Sequence, residues 1–199
     1  MFRASALMLC VAALALSVAP RTSRGQEDPA RTAALKAAFI YNFAKFTDWP
    51  GDRFHSPTDP VSICVGQNSP LRMPISVLAD KLVGDRPVRV MVLTETAQPT
   101  ACDVLFVDNG LPERIRQLTY GGLHGTLTVS DQPGFAQAGG QIGLFYAGNE
   151  LRFQINLEAA RRAGIGFSSK LLRLADVIGQ HSSLPRSLAM ARPPLTDWE

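Results

Sequence analysis

Short apolar runs alternate with helical segments through the middle of this chain, and this alternation constrains the fold more than any other feature. Segments 71–84 and 111–122 have the periodicity and the bounding turn residues of helices. Apolar strands separated by helices indicate a largely parallel sheet that is covered on both faces. Four runs are typical of buried strands: VSICVG (61–66), PVRVMVL (87–93), CDVLFV (102–107) and GTLTVSD (125–131).

The pattern changes after the fourth run. QIGLFYAGNELRFQIN (141–156) reads as two strands joined at residues 147–149, and Leu151, Phe153 and Ile155 alternate with polar residues in the second. This alternation predicts an antiparallel hairpin with one buried face. We therefore predict one α/β domain over residues 30–179, with a largely parallel sheet, flanking helices and a C-terminal antiparallel hairpin.

Helices are predicted at both ends of this domain. Residues 32–50 should form a helix with an apolar stripe in which Asn42 lies, so Asn42 should either bond a neighbouring backbone or line a pocket. Asn156 should cap a helix over 157–163, and Ser168 and Ser169 a second one. The stripe of the first helix is Leu35, Ala38, Phe39, Phe43 and Phe46; that of the last is Leu171, Leu174, Ala175 and Ile178.

The first 25 residues have the three parts of a secretory signal. Arg3 precedes the uninterrupted apolar run 4–19, and Ser23 and Gly25 suit cleavage after Gly25. The run is short for a bilayer span, so we expect cleavage rather than a retained anchor. At the other end, residues 180–199 are rich in Pro and Ser and predict a tail.

Removing the signal makes the chain electrically neutral. The basic residues fall from 20 to 17 because Arg3, Arg21 and Arg24 are lost, and 17 acidic residues remain. Nucleic-acid binding requires a clustered excess of Lys and Arg, so the sequence disfavours that class of function.

Two cysteines, Cys64 and Cys102, remain after removal of the signal. In an oxidising compartment they would form one disulfide and stabilise the fold by about 3–4 kcal/mol. The alternative is a pair of buried, apolar free thiols.

The stretch around Ser130 has serine, aspartate and glycines but lacks a catalytic motif. Ser130 lies between Val129 and Asp131, whereas a nucleophile elbow places its serine between glycines. His124 near one serine is weak support for a hydrolase, and the glycines Gly134, Gly139 and Gly140 match neither a phosphate loop nor a dinucleotide fingerprint. We therefore expect no catalytic residue here.

Other polar residues give weak signals. The histidines His55, His124 and His181 have no metal-ligand spacing, so we expect no metal site and no cofactor. Asp103 and Asp108 flank a strand somewhat as in phospho-receiver domains, but surface aspartates at strand ends are the simpler interpretation. A partner or ligand surface is predicted at Asn42, Arg152, Asn156, Arg161 and Arg162, although Arg161 and Arg162 also suit a solvated helix face.

Two stretches, KAAFIYNFAKFTDWP and GTLTVSDQPGFAQAGGQIGLFYAGNELRFQINLEAARRAGIGFSSKLLRLA, together resemble the YfiR-like periplasmic proteins. ICVGQNSPL and CDVLFV between them fit the same pattern, so the resemblance covers about residues 33–178. It implies a periplasmic, dimeric, non-enzymatic regulator that represses an inner-membrane diguanylate cyclase and so lowers cyclic-di-GMP. It also implies that Cys64 and Cys102 occupy disulfide positions.

Two functions therefore remain open. One is a regulator that contacts a membrane diguanylate cyclase. The other is a small-molecule binding module that acts on another membrane sensor protein, with its pocket near the carboxyl ends of the parallel strands.

Overall fold

The computed structural model describes residues 28–120 and 123–179. The predicted signal (1–25) and tail (180–199) lie outside these residues. The helices are α1 Pro29–Lys45, α2 Arg72–Ser76, α3 Glu113–Tyr120, α4 Leu157–Arg162 and α5 Ser169–Leu172. The strands are β1 Thr47–Asp48, β2 Val61–Gly66, β3 Leu82–Val83, β4 Arg86–Leu93, β5 Val104–Phe106, β6 Leu127–Ser130, β7 Ile142–Ala147, β8 Glu150–Asn156, β9 Gly166–Phe167 and β10 Asp176–Ile178.

Eight strands form one mostly parallel sheet in the order β10-β8-β7-β6-β5-β2-β4-β3. β4, β2, β5, β6 and β7 are parallel neighbours, and β7 and β8 form the antiparallel hairpin. The predicted α/β fold class, parallel sheet and hairpin are thus confirmed. β1 and β9 form a separate antiparallel pair that the sequence did not predict.

Side chains alternate between the two faces of the sheet and build an apolar cluster on each. Ile63, Val104 and Phe153 belong to the larger cluster, which includes α1. Cys64, Leu105 and Ile115 belong to the smaller one, which includes α3. Helices therefore cover both faces over the parallel strands, as a doubly covered α/β sheet requires.

Two predicted helices are shorter than expected. α2 ends at Ser76, and Leu82 and Val83 instead pair with Pro87 and Arg86 across Gly84, whose φ is +59°. α5 ends at Leu172, and residues 176–178 pair in parallel with β8. In both places, pairing with a neighbouring strand overrides a helical pattern in the local sequence.

The ends of several elements follow the local sequence closely. Asn156 caps α4 by accepting a hydrogen bond from the Ala159 amide at 3.0 Å, as predicted, and Ser168 caps α5. Gly164, with a φ of +73°, follows α4. The helix predicted over 111–122 is confirmed as α3 from Glu113 to Tyr120.

The buried face of helix α1 overlaps the predicted stripe only in part, at Phe43 and, half-buried, at Phe39 and Phe46. Ala37, Ile40, Phe43 and Ala44 are the buried residues of α1. Leu35 is 42% exposed, and Ala38 and Asn42 are exposed too. The expectation that Asn42 is buried in the stripe is therefore wrong, because the helix turns that side away from the sheet.

Candidate functional site

An aromatic groove lies between α1, β8 and α5. The Phe153 ring on β8 lies 4.9 Å from the Phe43 ring and 6.0 Å from the Phe39 ring, centroid to centroid. These spacings are those of favourable edge-to-face and tilted aromatic pairs. The groove has a volume of about 320 Å³ and is lined by Phe39, Asn42, Phe43, Phe46, Phe153, Lys170, Leu171 and Leu174.

The rim of the aromatic groove is partly apolar and partly cationic. Leu174 is 70% exposed at its edge. Lys170, an exposed lining residue, supplies the positive charge. Asn42 lines the groove, so the structure favours the second of its two predicted roles. Sequence reasoning missed Leu174, because it assigned that side chain to the buried face of a longer helix.

The other predicted surface residues lie away from the aromatic groove. Arg152 and Asn156 alternate with Phe153 on β8 and so face the opposite side of the sheet. Arg152 forms an exposed ion pair with Asp176 at 3.2 Å, and the Asn156 amide donates to the Ala136 carbonyl at 2.8 Å. The structure thus does not bring Asn42 together with these two residues.

The arginines of α4 are exposed. Arg162 pairs with Glu158 at 3.1 Å, one helical turn away, and Arg161 precedes it on the same helix. Exposed pairs of this kind contribute little to stability.

The crevice predicted at the carboxyl ends of the strands is closed at its centre. β2 and β5 are adjacent, but the chain leaves β2 towards one edge of the sheet and β5 towards the other. Open α/β sheets bind ligands at the point where the connections diverge in this way. Here the two loops touch: a Cβ atom on Gly66 would lie 2.2 Å from the Gly110 carbonyl oxygen, and one on Gly110 would lie 2.3 Å from the Ser69 nitrogen. A polar cleft of about 260 Å³ remains beside this contact, and its lining includes Gln67 and Glu95. We call it the carboxyl-end cleft.

Asp108 joins the loop after β2 to the loop after β5 through hydrogen bonds. Its carboxylate accepts hydrogen bonds from the Ser69 hydroxyl at 2.5 Å and from the Gly110 amide at 2.9 Å. Burial raises the pKa of Asp108, and the nearby Asp131 carboxylate adds to this, while the bonds from Ser69 and Gly110 oppose it. The interpretation of Asp108 as a surface residue is wrong, since it is 6% exposed.

Asp103 is also buried and has a structural partner. The Arg53 side chain donates to its carboxylate at 2.5 Å and to the Cys102 carbonyl at 2.8 Å. The Asp103 carboxylate also accepts from the Ser62 amide at 2.6 Å. Asp103 therefore joins the loop at Arg53 to the strands β2 and β5.

Ser130 is placed as a structural residue. It is fully buried, and its hydroxyl donates to the Val107 carbonyl at 2.5 Å and accepts from the Gln132 amide. His124 instead approaches Asp52, at 3.5 Å, and is mostly exposed. A nucleophile needs an accessible hydroxyl and an adjacent base, and this arrangement supplies neither to Ser130.

The two cysteines form the predicted disulfide. Cys64 lies on β2 and Cys102 just before β5, with 2.01 Å between the sulfur atoms. Both residues are fully buried. Among residues 28–120 and 123–179, no three side chains of the metal-binding types cluster, and no helix has the length and hydropathy of a membrane span.

Comparison with protein families assigns the chain. The model of the YfiR/HmsC-like family matches residues 33–176. The chain belongs to the YfiR/HmsC-like family. This match covers the whole sheet except the last residues of β10, so the aromatic groove and the disulfide both lie within the family's domain. Among curated proteins, none matches the chain.

Proposed function

We propose that this YfiR/HmsC-like protein is a non-enzymatic periplasmic regulator that represses or modulates a membrane-bound diguanylate cyclase, and so controls cyclic-di-GMP. Membership of the family supports this role. The buried, hydrogen-bonded Ser130 supports a non-catalytic reading of the most enzyme-like segment. The observation that carries the proposal is the aromatic groove, an open and mostly apolar surface of the domain.

The chemistry of the groove indicates what binds there. Exposed contiguous apolar surface commonly marks an interaction site, and Leu174 at 70% exposure extends the aromatic wall outwards. Lys170 places positive charge beside this surface. We expect a segment of the cyclase's periplasmic region with apolar side chains for the groove and an acidic side chain for Lys170.

The disulfide supports the proposed compartment. Structural disulfides form and persist in oxidising environments, and the periplasm is one. Export would follow from the signal predicted at residues 1–25. A homodimer is part of the proposal through the family resemblance alone.

The groove is tested at its rim. Phe153 is 6% exposed and Phe→Ala changes in a core cost about 3–5 kcal/mol, so Phe153→Ala would confuse binding with folding. Leu174→Asp changes an exposed side chain instead. Val77→Asp is the matched control, because Val77, directly after α2, is also 70% exposed and does not line the groove.

Leu174→Asp should abolish copurification of a cyclase-containing membrane protein and raise cellular cyclic-di-GMP to the level of a deletion strain. Lys170→Glu should also reduce copurification and raise cyclic-di-GMP, by smaller amounts. Val77→Asp should leave both quantities unchanged. All three variants should melt within about 2 °C of the wild type, because surface substitutions change stability little. The groove would be contradicted as the contact surface if Leu174→Asp kept cyclic-di-GMP as low as the wild type does. It would also be contradicted if Val77→Asp lost as much copurification as Leu174→Asp.

A further inference from the structure

A second pocket lies on the opposite face of the hairpin from the aromatic groove. This hairpin pocket, of about 270 Å³, is formed by the loop after β6 and the outward side of β7 and β8. In the strand register, Gly143 faces Gln154 and Phe145 faces Arg152. Its lining includes Gln132, Gln137, Gly143, Phe145, Gln154 and Asp176.

Gly143 forms the floor of the hairpin pocket, and no packing requirement explains why it is glycine. A Cβ atom on Gly66, Gly110 or Gly140 would lie less than 2.5 Å from another protein atom. A Cβ atom on Gly143 would meet nothing closer than Ala136 at 3.5 Å, which is ordinary contact. Its φ also lies outside the left-handed region. A strand glycine commonly marks the close approach of a ligand or another backbone.

The polar side chains of the hairpin pocket have unused hydrogen-bonding capacity. The Gln132 amide nitrogen donates to Asn109 at 3.1 Å, which leaves its carbonyl oxygen available. Within the part of the chain that the structure describes, the side-chain amides of Gln137 and Gln154 make no hydrogen bond. Each amide offers both donors and an acceptor.

The charge of the hairpin pocket is balanced. Asp176 pairs with Arg152 at 3.2 Å, so the lining presents no excess of either sign. Phe145 adds a half-buried aromatic wall. Hydroxyl groups, which donate and accept at the same atom, match side-chain amides better than a phosphate or an ammonium does.

We propose that the hairpin pocket binds one ring of a neutral saccharide, with its hydroxyls on Gln132, Gln137 and Gln154 and its C–H face against Phe145. The volume of 270 Å³ lies just below the roughly 300–1,000 Å³ typical of drug-sized ligands, which suits a single pyranose ring. This site lies on the other side of the sheet from the aromatic groove and does not depend on the proposed regulation of a cyclase.

Calorimetric titration of the mature protein with glucose, N-acetylglucosamine, chitobiose and glucuronate tests the proposal. At least one neutral sugar should bind with a dissociation constant of about 1 mM or below. Tighter binding of chitobiose than of N-acetylglucosamine assigns the site to a glycan chain, and equal binding assigns it to a free sugar. Glucuronate should bind more weakly than glucose, because the lining offers no uncompensated cation.

Two variants locate the binding. Gly143→Ala places a methyl group on the floor of the pocket without a clash, so it should weaken sugar binding at least tenfold while its melting temperature stays at or above that of the wild type. Gln154→Leu should weaken binding similarly. Gln67→Leu makes the same change beside the carboxyl-end cleft and should leave sugar binding unchanged.

Three results would overturn the proposal: no saturable binding of any neutral sugar, stronger binding of glucuronate, or wild-type binding by a folded Gly143→Ala protein. None of these involves the membrane partner. Failure here therefore leaves the proposed regulatory function standing, and failure of the Leu174→Asp test leaves the saccharide site standing.

Discussion

Asp108 lies in an environment that its local sequence does not indicate. It follows a strand like many surface aspartates, yet the β2 and β5 loops enclose it and its pKa is raised. Local sequence does not show this enclosure, because it depends on Gly66 and Gly110 meeting across the sheet. Burial of an acid is decided by the packing of distant segments.

The raised pKa of Asp108 predicts a pH dependence of stability. The folded state holds the Asp108 proton more tightly than the unfolded state, whose ordinary value is 3.8. The contribution of this group is therefore fully present below 3.8 and is lost as pH rises through the raised folded-state pKa. The free energy of unfolding of the wild type, minus that of Asp108→Asn, should fall as the pH rises above the ordinary carboxyl pKa of 3.8.

Urea denaturation at several pH values measures this difference. Asp85→Asn, at an exposed aspartate, is the control and should show no such trend relative to the wild type. A wild-type minus Asp108→Asn difference that stays constant across the range would show that burial does not govern this carboxyl.

At the scale of elements, the disulfide joins Cys64 on β2 to Cys102, which lies just before β5. β2 and β5 are adjacent strands of the sheet. The two cysteines are 38 positions apart, and closing a loop of that length stabilises the folded state by about 4 kcal/mol on the chain-entropy model. The Cys64→Ala/Cys102→Ala double variant should lose about this amount, because it frees the same loop in the unfolded chain.

Denaturation with and without reductant checks this prediction. The wild type should lose stability when it is reduced, whereas the double variant should unfold identically in both conditions. Equal stability of oxidised and reduced wild type would contradict a stabilising role for the bond.

The longer strands and β5 were predictable from the sequence, whereas the two-residue strands, β10 and the lengths of α2 and α5 were not. β2 matches its predicted bounds because six consecutive buried residues leave a continuous apolar run. In α1 the stripe was real, but the sequence could not say which side meets the sheet, since apolar residues occupy more than half of its circumference. Phe39 and Asn42 line the aromatic groove, and Leu35 is exposed, whereas Ala37 and Ile40 are buried in the core.

At the scale of the whole molecule, the exported form is predicted to begin near residue 26. The short positive segment, the apolar run 4–19 and the small residues Ser23 and Gly25 form the pattern that predicts a cleavable signal. N-terminal sequencing of periplasmic protein checks this. Gly25→Leu should accumulate uncleaved precursor, and an intact Met1 on the wild type in the membrane fraction would show a retained anchor.

The sequence by itself determined the α/β class, the largely parallel sheet, the hairpin and the Asn156 cap, because each of these leaves a local periodicity or a local hydrogen bond. Only the tertiary structure decided that Leu174 is exposed, that Gly66 and Gly110 close the central crevice, and that Gly143 forms the floor of a pocket. These properties depend on atoms that lie tens of residues apart in the chain and meet only when the sheet is assembled.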